Sequence, residues 1–489
     1  YDAEVLRMYK VVPIRDEDGM LYVAAADALN IQLIDELYQV LGRSVEILVA
    51  KPEQIEKTLD HFFPEESSTN MEDVLSQMDG FGVEEWEDEE DVNSANLEEA
   101  INATPIIKFV NVILYQAVKD KASDVHFEPF AEEFKIRYRV DGVLYEMSPP
   151  PRHLAVPVIS RVKVVSGLNI AERRKPQDGR IEIRVGGKKI DLRVSTLPTA
   201  YGESVVLRIL DKTVVNLDLD ALGLPDWLKV NIRDTIAKPN GVMLVTGPTG
   251  SGKTTTLYSC LKEINRIEDK ILTCEDPVEY NIEGLVQVPV TEAVGMTFAK
   301  ALKAFLRQDP DRIMVGEIRD LETAGISIEA SLTGHFVLST LHTNDAPSAL
   351  TRLVDMGVEP FLITSTVEGV LGQRLVRRVC KYCRSSYQIT DKELIQLQLK
   401  REDAGEGIVY IGEGCAECNN TGYKGRVGLF EFFQFSSVTR EMVMNKEASS
   451  VIAAQARKEG MRSLRQHGVE CVISGLTTIE EVLKYTVVA

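Results

Sequence analysis

Over the first sixty residues, apolar and polar positions alternate in short runs, the pattern of half-buried strands. Tyr9–Ile14 and Met20–Ala25 read as strands around the turn Asp16-Glu17-Asp18-Gly19. Asn30–Leu41 has helical spacing, Val45–Val49 is strand-like, and Pro52–Phe62 reads as a second helix starting near a proline. Residues 1–63 are thus expected to form a small α/β module that docks a partner. Periodicity stops between 64 and 98 and resumes in a second α/β unit over 99–215. There Thr104–Lys121 is an amphipathic helix, and strands are expected at Asp124–Glu128, Phe134–Val140, Val143–Met147, Arg180–Val185, Lys189–Ser195 and Ser204–Leu210. Asp141-Gly142 and Gly186-Gly187 fall between pairs of these strands and predict hairpins. Residues 216–379 alternate short apolar strands (Gly241–Thr246, Lys270–Cys274, Arg312–Val315, Phe336–Ser339) with helical stretches, as a mostly parallel sheet requires. Residues 380–425 hold paired cysteines, and 426–489 read as mostly helical after a short start. No internal repeat is visible.

Charge sharpens the boundaries. The chain has 489 residues, enough for several domains, and a net charge of −20. Fourteen acidic residues and no lysine or arginine lie between Pro64 and Ala100. The block Glu84-Glu85-Trp86-Glu87-Asp88-Glu89-Glu90-Asp91 repels itself, so 64–98 is expected to be a flexible linker; a partner-docking segment is the alternative. The acidic balance disfavours nucleic acid as a partner, since phosphates need clustered lysine and arginine. No apolar run approaches the roughly 18 residues that span a bilayer, so membrane association is expected to be peripheral, through partners. No signal-peptide pattern follows Tyr1.

Gly247-Pro248-Thr249-Gly250-Ser251-Gly252-Lys253-Thr254 matches GxxxxGK[ST], between the apolar strand Gly241–Thr246 and a helix expected over Thr255–Asn265. Glycines let the backbone wrap phosphates and aim N–H groups inward, and the helix N-terminus adds positive potential. Lys253 is expected to reach the β- and γ-phosphates of ATP, Thr254 to hold Mg²⁺ through its hydroxyl, and Thr255 to complete the binding run. Two glutamates fall at the carboxyl ends of later strands, where open parallel sheets bind ligands: Glu275 in Cys274-Glu275-Asp276-Pro277-Val278-Glu279 and Glu317 in Ile313-Met314-Val315-Gly316-Glu317. Glu317 suits holding a water on Mg²⁺ and Glu275 suits activating the attacking water, although the roles could be exchanged. Gly334-His335 and Ser339-Thr340-Leu341-His342-Thr343-Asn344 flank another strand. His342 is preferred over His335 as a γ-phosphate sensor, and a metal shared by the two is disfavoured because the spacing gives no common face.

Cys380-Lys381-Tyr382-Cys383 and Cys415-Ala416-Glu417-Cys418 form two CxxC pairs 31 residues apart. Four thiolates close a tetrahedral shell around Zn²⁺, leaving no open position, so a structural site in a reducing cytosol is expected. A redox CxxC or an iron–sulfur cluster are the alternatives. Cys260, Cys274 and Cys471 lack such spacing and read as ordinary small residues.

Together these segments resemble the secretion ATPase family of type II secretion and type IV pilus assembly. The carriers are the phosphate loop, the acidic box Cys274–Tyr280, the run Leu306-Arg307-Gln308-Asp309-Pro310-Asp311 through Gly316-Glu317-Ile318-Arg319-Asp320, and the histidine box Thr333–Asn344. Ser123-Asp124-Val125-His126-Phe127-Glu128-Pro129 and Pro176-Gln177-Asp178-Gly179-Arg180 add to it. The resemblance covers about residue 100 to the end. It implies a RecA-like P-loop core with an amino-terminal α/β domain, a small N-terminal module and a four-cysteine zinc-binding insertion. It also implies a homo-hexamer at the cytoplasmic face of the inner membrane, working with platform proteins and a membrane anchor protein. ATP then lies between the amino-terminal and RecA-like domains. Arg193 and Arg208 are the family's phosphate-reaching arginines, with Arg307 as a further candidate. Lys303 stands where relatives often carry arginine. Hydrolysis is expected to swing the domains about a hinge at 211–218. The inserted cysteine module favours assembly or secretion over retraction, with type II secretion slightly preferred to pilus extension. A nucleic-acid motor of the same fold class, or a non-catalytic regulator, are the competing readings.

Overall fold

The computed structural model describes residues 11–17, 20–25, 37, 44–52, 54, 55 and 58, then 104–185, 188–210 and 217–486. The turn residues Asp18 and Gly19, most of the 30–41 helix, the acidic linker, Gly186-Gly187 and most of the hinge lie outside the described residues. The chain divides into two units, Tyr1–Leu210 and Asp211–Ala489.

In the first unit, β1 (Val12–Glu17), β2 (Met20–Ala25) and β3 (Ser44–Val49) form a sheet in the order β1-β2-β3. β1 and β2 are antiparallel, β2 and β3 parallel. The first strand ends three residues later than the sequence pattern implies, at Glu17 rather than Ile14. Asp16 and Glu17 pair with Leu21 and Met20 rather than turning.

Farther along, α1 (Thr104–Lys119) is followed by β4 (Asp124–Pro129), β5 (Phe134–Val140) and β6 (Val143–Glu146). Then come α2 (Ala155–Val165), β7 (Gln177–Val185), β8 (Lys188–Thr199) and β9 (Gly202–Leu210). The six strands make an antiparallel sheet in the order β6-β5-β4-β9-β8-β7. Asp141 and Gly142, with φ of 50° and 87°, supply the left-handed pair that a tight β5–β6 hairpin demands. Phe109 and Ile113 of α1 and Val158 and Val162 of α2 pack with Val125, Phe127, Ile136 and Leu207 of the sheet. Strand pairing aligns Arg139, Asp124, Arg208, Arg193 and Arg180 in one row across five strands.

The second unit runs α3 (Asp226–Ile236), β10 (Gly241–Thr246), α4 (Lys253–Ile264), β11 (Ile271–Glu275), β12 (Leu285–Pro289), α5 (Phe298–Phe305) and β13 (Arg312–Val315). It continues through α6 (Leu321–Leu332), β14 (Phe336–Leu341), α7 (Pro347–Asp355), α8 (Pro360–Thr366) and β15 (Val367–Val379). After β16 (Arg384–Gln388), α9 (Asp391–Leu397), β17 (Ile408–Gly412) and β18 (Tyr423–Phe433), four helices follow: α10 (Ser437–Met444), α11 (Ser449–Lys458), α12 (Leu464–Ile473) and α13 (Ile479–Tyr485). The seven-stranded sheet has the order β12-β11-β13-β14-β10-β15-β18 and is parallel except for the edge pair β15/β18. All six residues of β10 are buried, as a strand covered on both faces requires. Val242 and Leu244 face one core with α5, α6 and α7; Met243 and Val245 face the other with α3 and α4. The last strand of the sheet comes from residues 423–433, beyond the 216–379 span. β16 and β17 form a separate antiparallel pair.

Candidate nucleotide site and four-cysteine centre

β10, β11, β13 and β14 end side by side, and their carboxyl ends border a cavity of about 380 Å³. After β10 the chain turns through Gly247, Gly250 and Gly252, with φ of 152°, 78° and 89°. A Cβ at Gly252 would meet the Gln373 side-chain amide at 2.7 Å, and one at Gly247 would run into the Gln373 carbonyl, so glycine alone satisfies angle and space. α4 starts at Lys253 with no capping side chain, which leaves its first N–H groups for a ligand. Thr249, Gly250, Ser251, Gly252, Lys253, Thr254 and Thr255 all line the cavity. Gly247 and Pro248 do not; their carbonyls accept hydrogen bonds from Lys253 Nζ at 2.8 and 3.0 Å. Burial pulls the Lys253 pKa down to about 8; Glu317 opposes that and Arg374 adds to it.

Glu275 is the last residue of β11 and is buried, yet its side chain lines the cavity. One carboxylate oxygen accepts from the Tyr258 hydroxyl. The other accepts from Thr273 Oγ1 at 2.5 Å and Gln287 Nε2 at 3.1 Å. A carboxylate offers about four lone-pair sites, so three donors fix its plane and leave one for a ligand or water. Tyr258 lies one and a half turns beyond Lys253 on α4, so the helix that presents the phosphate loop also orients this acid.

Glu317 follows β13. Its oxygens meet Arg319 Nη2 at 2.5 Å and His342 Nε2 at 3.4 Å. Burial alone would raise the pKa of this carboxyl, but the Arg319 bond and the charges of Arg319, His342 and Lys253 hold it below the ordinary range. Thr340 Oγ1 donates to the Gly316 carbonyl at 2.7 Å and ties β14 to the turn that carries Glu317. The two histidines are separated by the length of β14. His342, beyond its carboxyl end, lines the cavity; His335, at the other end, places Nδ1 2.8 Å from the Ala330 carbonyl in the last turn of α6. Arg307 donates to the Lys303 carbonyl at 2.8 Å and Lys303 pairs with Glu322 at 2.6 Å; neither lines the cavity. Arg193 and Arg208 belong to the first unit. Arg208 Nε donates to Asp124 Oδ1 at 3.1 Å, while its side chain stays 58% exposed.

Sequence reasoning overlooked Tyr258, Gln287, Arg319 and Arg426. Arg319 stands two residues after Glu317, a spacing that signals a pair on one face of extended chain. Arg426 of β18 lines the cavity although it lies far along the chain, past the cysteine pairs. No local signal marks it, because its position depends on β18 joining the sheet.

The four cysteine sulfurs lie within 4.8 Å of one another, with Cys380–Cys415 at 3.9 Å, Cys383–Cys418 at 3.8 Å and Cys415–Cys418 at 3.7 Å. A tetrahedral shell with metal–sulfur bonds of about 2.3 Å puts sulfurs about 3.8 Å apart. The N–H groups of Cys415 and Gly422 donate to Cys418 Sγ at 3.2 and 3.3 Å, the support a thiolate ligand needs.

The family model for the type II/IV secretion system protein matches residues 99–484, and the MshEN domain model matches residues 1–69. A type II secretion system protein E of Aeromonas hydrophila is 46% identical over 478 residues, 97% of this chain and 94% of that one. The type IV pilus assembly ATPase PilB of Myxococcus xanthus is 43% identical over 485 residues, 99% of this chain and 85% of its own. Among solved structures, the pilus retraction motor PilT with bound ADP is similar at a TM-score of 0.51 and 26% identity, covering 76% of this chain and 96% of that one. With a glycine loop and two strand-end glutamates around one cavity, and a family match over most of its length, the chain belongs to the type II/IV secretion system protein family, as an ATPase of its secretion and pilus-assembly branch.

Proposed function

We propose that this ATPase powers type II secretion by driving assembly of a pseudopilus, as a homo-hexamer held at the cytoplasmic face of the inner membrane by platform proteins and a membrane anchor. The observation that carries this reading is the identity of 46% to a type II secretion system protein E across 97% of the chain. Type IV pilus extension is the second reading, supported by the 43% identity to a pilus assembly ATPase.

In the catalytic cycle proposed here, the glycine loop and the first turn of α4 cradle the phosphates, and Lys253 exchanges its loop carbonyls for phosphate oxygens. Thr254, exposed beside the loop, suits Mg²⁺, which neutralises phosphate charge when bound. Glu317 would help to hold that ion through its hydration shell, and it reaches the γ-phosphate region through His342. Glu275, held by its three donors, accepts the proton of the attacking water. Arg193 and Arg208 contribute positive charge as the phosphoryl group departs. Cys380, Cys383, Cys415 and Cys418 would hold Zn²⁺, which would close a structural shell there.

Lys253→Ala and Glu275→Gln test the chemistry. Each is expected to lower ATP turnover at least about 100-fold, with Glu275→Gln keeping nucleotide affinity. Turnover within about threefold of wild type in Glu275→Gln would remove that residue from the mechanism. Deleting the gene separates the two machines: lost exoprotein export with intact pili supports type II secretion, and lost pili with intact export supports the alternative.

A further inference from the structure

A second cavity, of about 240 Å³, lies on the far side of the loop that follows His342. Asn344, Asp345, Arg374, Glu431, Arg457 and Arg465 are among its walls. Arg374 and Arg465 are each more than nine-tenths buried. Neither has a carboxylate within ion-pair distance among the described residues. Arg374 donates to the backbone and side-chain oxygens of Asn344 at 2.8 and 3.0 Å, and Arg465 to the carbonyls of Gln396 and Thr486 at 3.2 and 2.6 Å. Arg374 Nη1 and Arg465 Nε have no hydrogen-bond partner among the described residues. A guanidinium stays charged in proteins, and a buried charge without a counter-ion in contact is costly; Glu431 and Asp345 act on Arg374 only from beyond ion-pair distance. Burial pushes the pKa of both arginines down.

The acids at this cavity are already engaged. Asp345 Oδ1 accepts from Ser348 N at 2.8 Å, and Glu431 accepts from the backbone N–H groups of Ala346 and Leu464 at 2.5 and 3.1 Å. Burial pushes the Glu431 carboxyl up to about 7, which leaves less negative charge to offset the arginines. A separate feature adds positive potential. Ser449 and Ser450, the first residues of α11, line the same cavity, and no side-chain hydrogen bond caps that helix.

We propose that this cavity is a second, non-catalytic oxyanion site that takes a phosphate-sized group between Arg374, Arg457, Arg465 and the N-terminus of α11. Free phosphate and the phosphate of a nucleoside monophosphate share this chemistry. The cavity shares the 342–346 loop with the nucleotide site, and the Arg374 charge reaches Lys253. A bound oxyanion therefore offsets a charge that bears on the phosphate-loop lysine.

The test is calorimetric titration of the full chain, saturated with Mg²⁺ and a non-hydrolysable ATP analogue so that the first cavity is filled. Inorganic phosphate is the probe in one arm and AMP in the other. One phosphate per chain is expected. Binding should weaken at least about tenfold in Arg457→Ala and in Ser450→Asp, since an acid at a helix N-terminus suits the fold but repels an anion. AMP binding tenfold tighter than phosphate assigns the site to a phosphomonoester, and equal affinity assigns it to the free ion. No uptake of either probe, or uptake that both variants leave within about threefold, overturns the proposal.

Discussion

At the scale of single residues, acids that share one sheet differ in how they are held. Glu275 is gripped by Tyr258, Thr273 and Gln287, whereas Glu317 is balanced between Arg319 and His342. Tyr258→Phe should therefore lower kcat about tenfold while ATP affinity stays near wild type, because the acid loses its orientation and the phosphate loop keeps its shape. Steady-state kinetics with a parallel nucleotide-binding assay checks this; a rise in KM alone would assign Tyr258 to binding. Glu431 gives a pH prediction. Its ordinary pKa of 4.5 is raised by burial to about 7 in the folded chain. Between those values the folded state holds a proton that the unfolded state has released, so stability falls as pH climbs from 4.5 to 7 and this group's share is flat above. Glu431→Gln should flatten that slope in denaturant midpoints measured at pH 5 and pH 7.5. It should also cost about 1–3 kcal/mol, since the amide cannot accept from both Ala346 and Leu464 as the carboxyl does. The phosphate-loop residues were legible because eight consecutive positions carry their own chemistry. Tyr258 and Arg426 were not, because nothing adjacent in sequence says what faces them.

Among elements, legibility followed the strength of the local pattern. β5, β10 and β13 begin and end where apolar runs do, and the pairing partners of the β5–β6 hairpin follow from Asp141-Gly142. α2 was silent: its eleven residues, AVPVISRVKVV, are mostly β-branched, so propensity contradicts the helix that packing against the sheet imposes. β18 was equally hidden, because it begins beside the cysteines and ends in the main sheet, where nine of its residues pair with β15. That continuity makes the four-cysteine centre part of the ATPase unit's support. Val376 of β15 and Leu429 of β18 share a core with Val409, Leu464, Val472 and Val482. Arg377 on β15 also bonds Glu481 of α13 at 2.7 Å. Removing the metal with a chelator, or Cys415→Ser, should lower the melting temperature by several degrees, about 2–4 °C per kcal/mol lost, and make the remaining cysteines reactive to a thiol reagent. Elemental analysis should find one zinc per chain. Unchanged melting and four already reactive thiols in the untreated protein would count against a structural metal.

For the whole molecule, the charged residues that the two units present differ in kind. The ATPase unit supplies the loop, Lys253 and both glutamates, and its cavity is lined by four carboxylates, Glu275, Asp276, Glu279 and Glu317, against Lys253 and Arg426, with His342 beside them. The first unit displays Arg139, Arg208, Arg193 and Arg180 in register with one carboxylate, Asp124. Such a row, partly open to solvent, suits an anion whose charge grows during reaction better than it suits folding, since exposed arginines add little stability. Arg193→Ala and Arg208→Ala should therefore leave the melting temperature within about 2 °C and change ATP affinity little. Turnover should drop about 100- to 1,000-fold in the double variant, because stabilisation confined to the transition state is lost from kcat and not from binding. Asp124→Asn tests the same idea from the partner's side. It frees the Arg208 guanidinium from a charged acceptor at 3.1 Å, and turnover should fall about tenfold without the loss of either arginine. If the double arginine variant turns over ATP as wild type does, the arginine row is a surface feature, and the transition-state charge must be met by groups of the second unit such as Lys253 and Arg426.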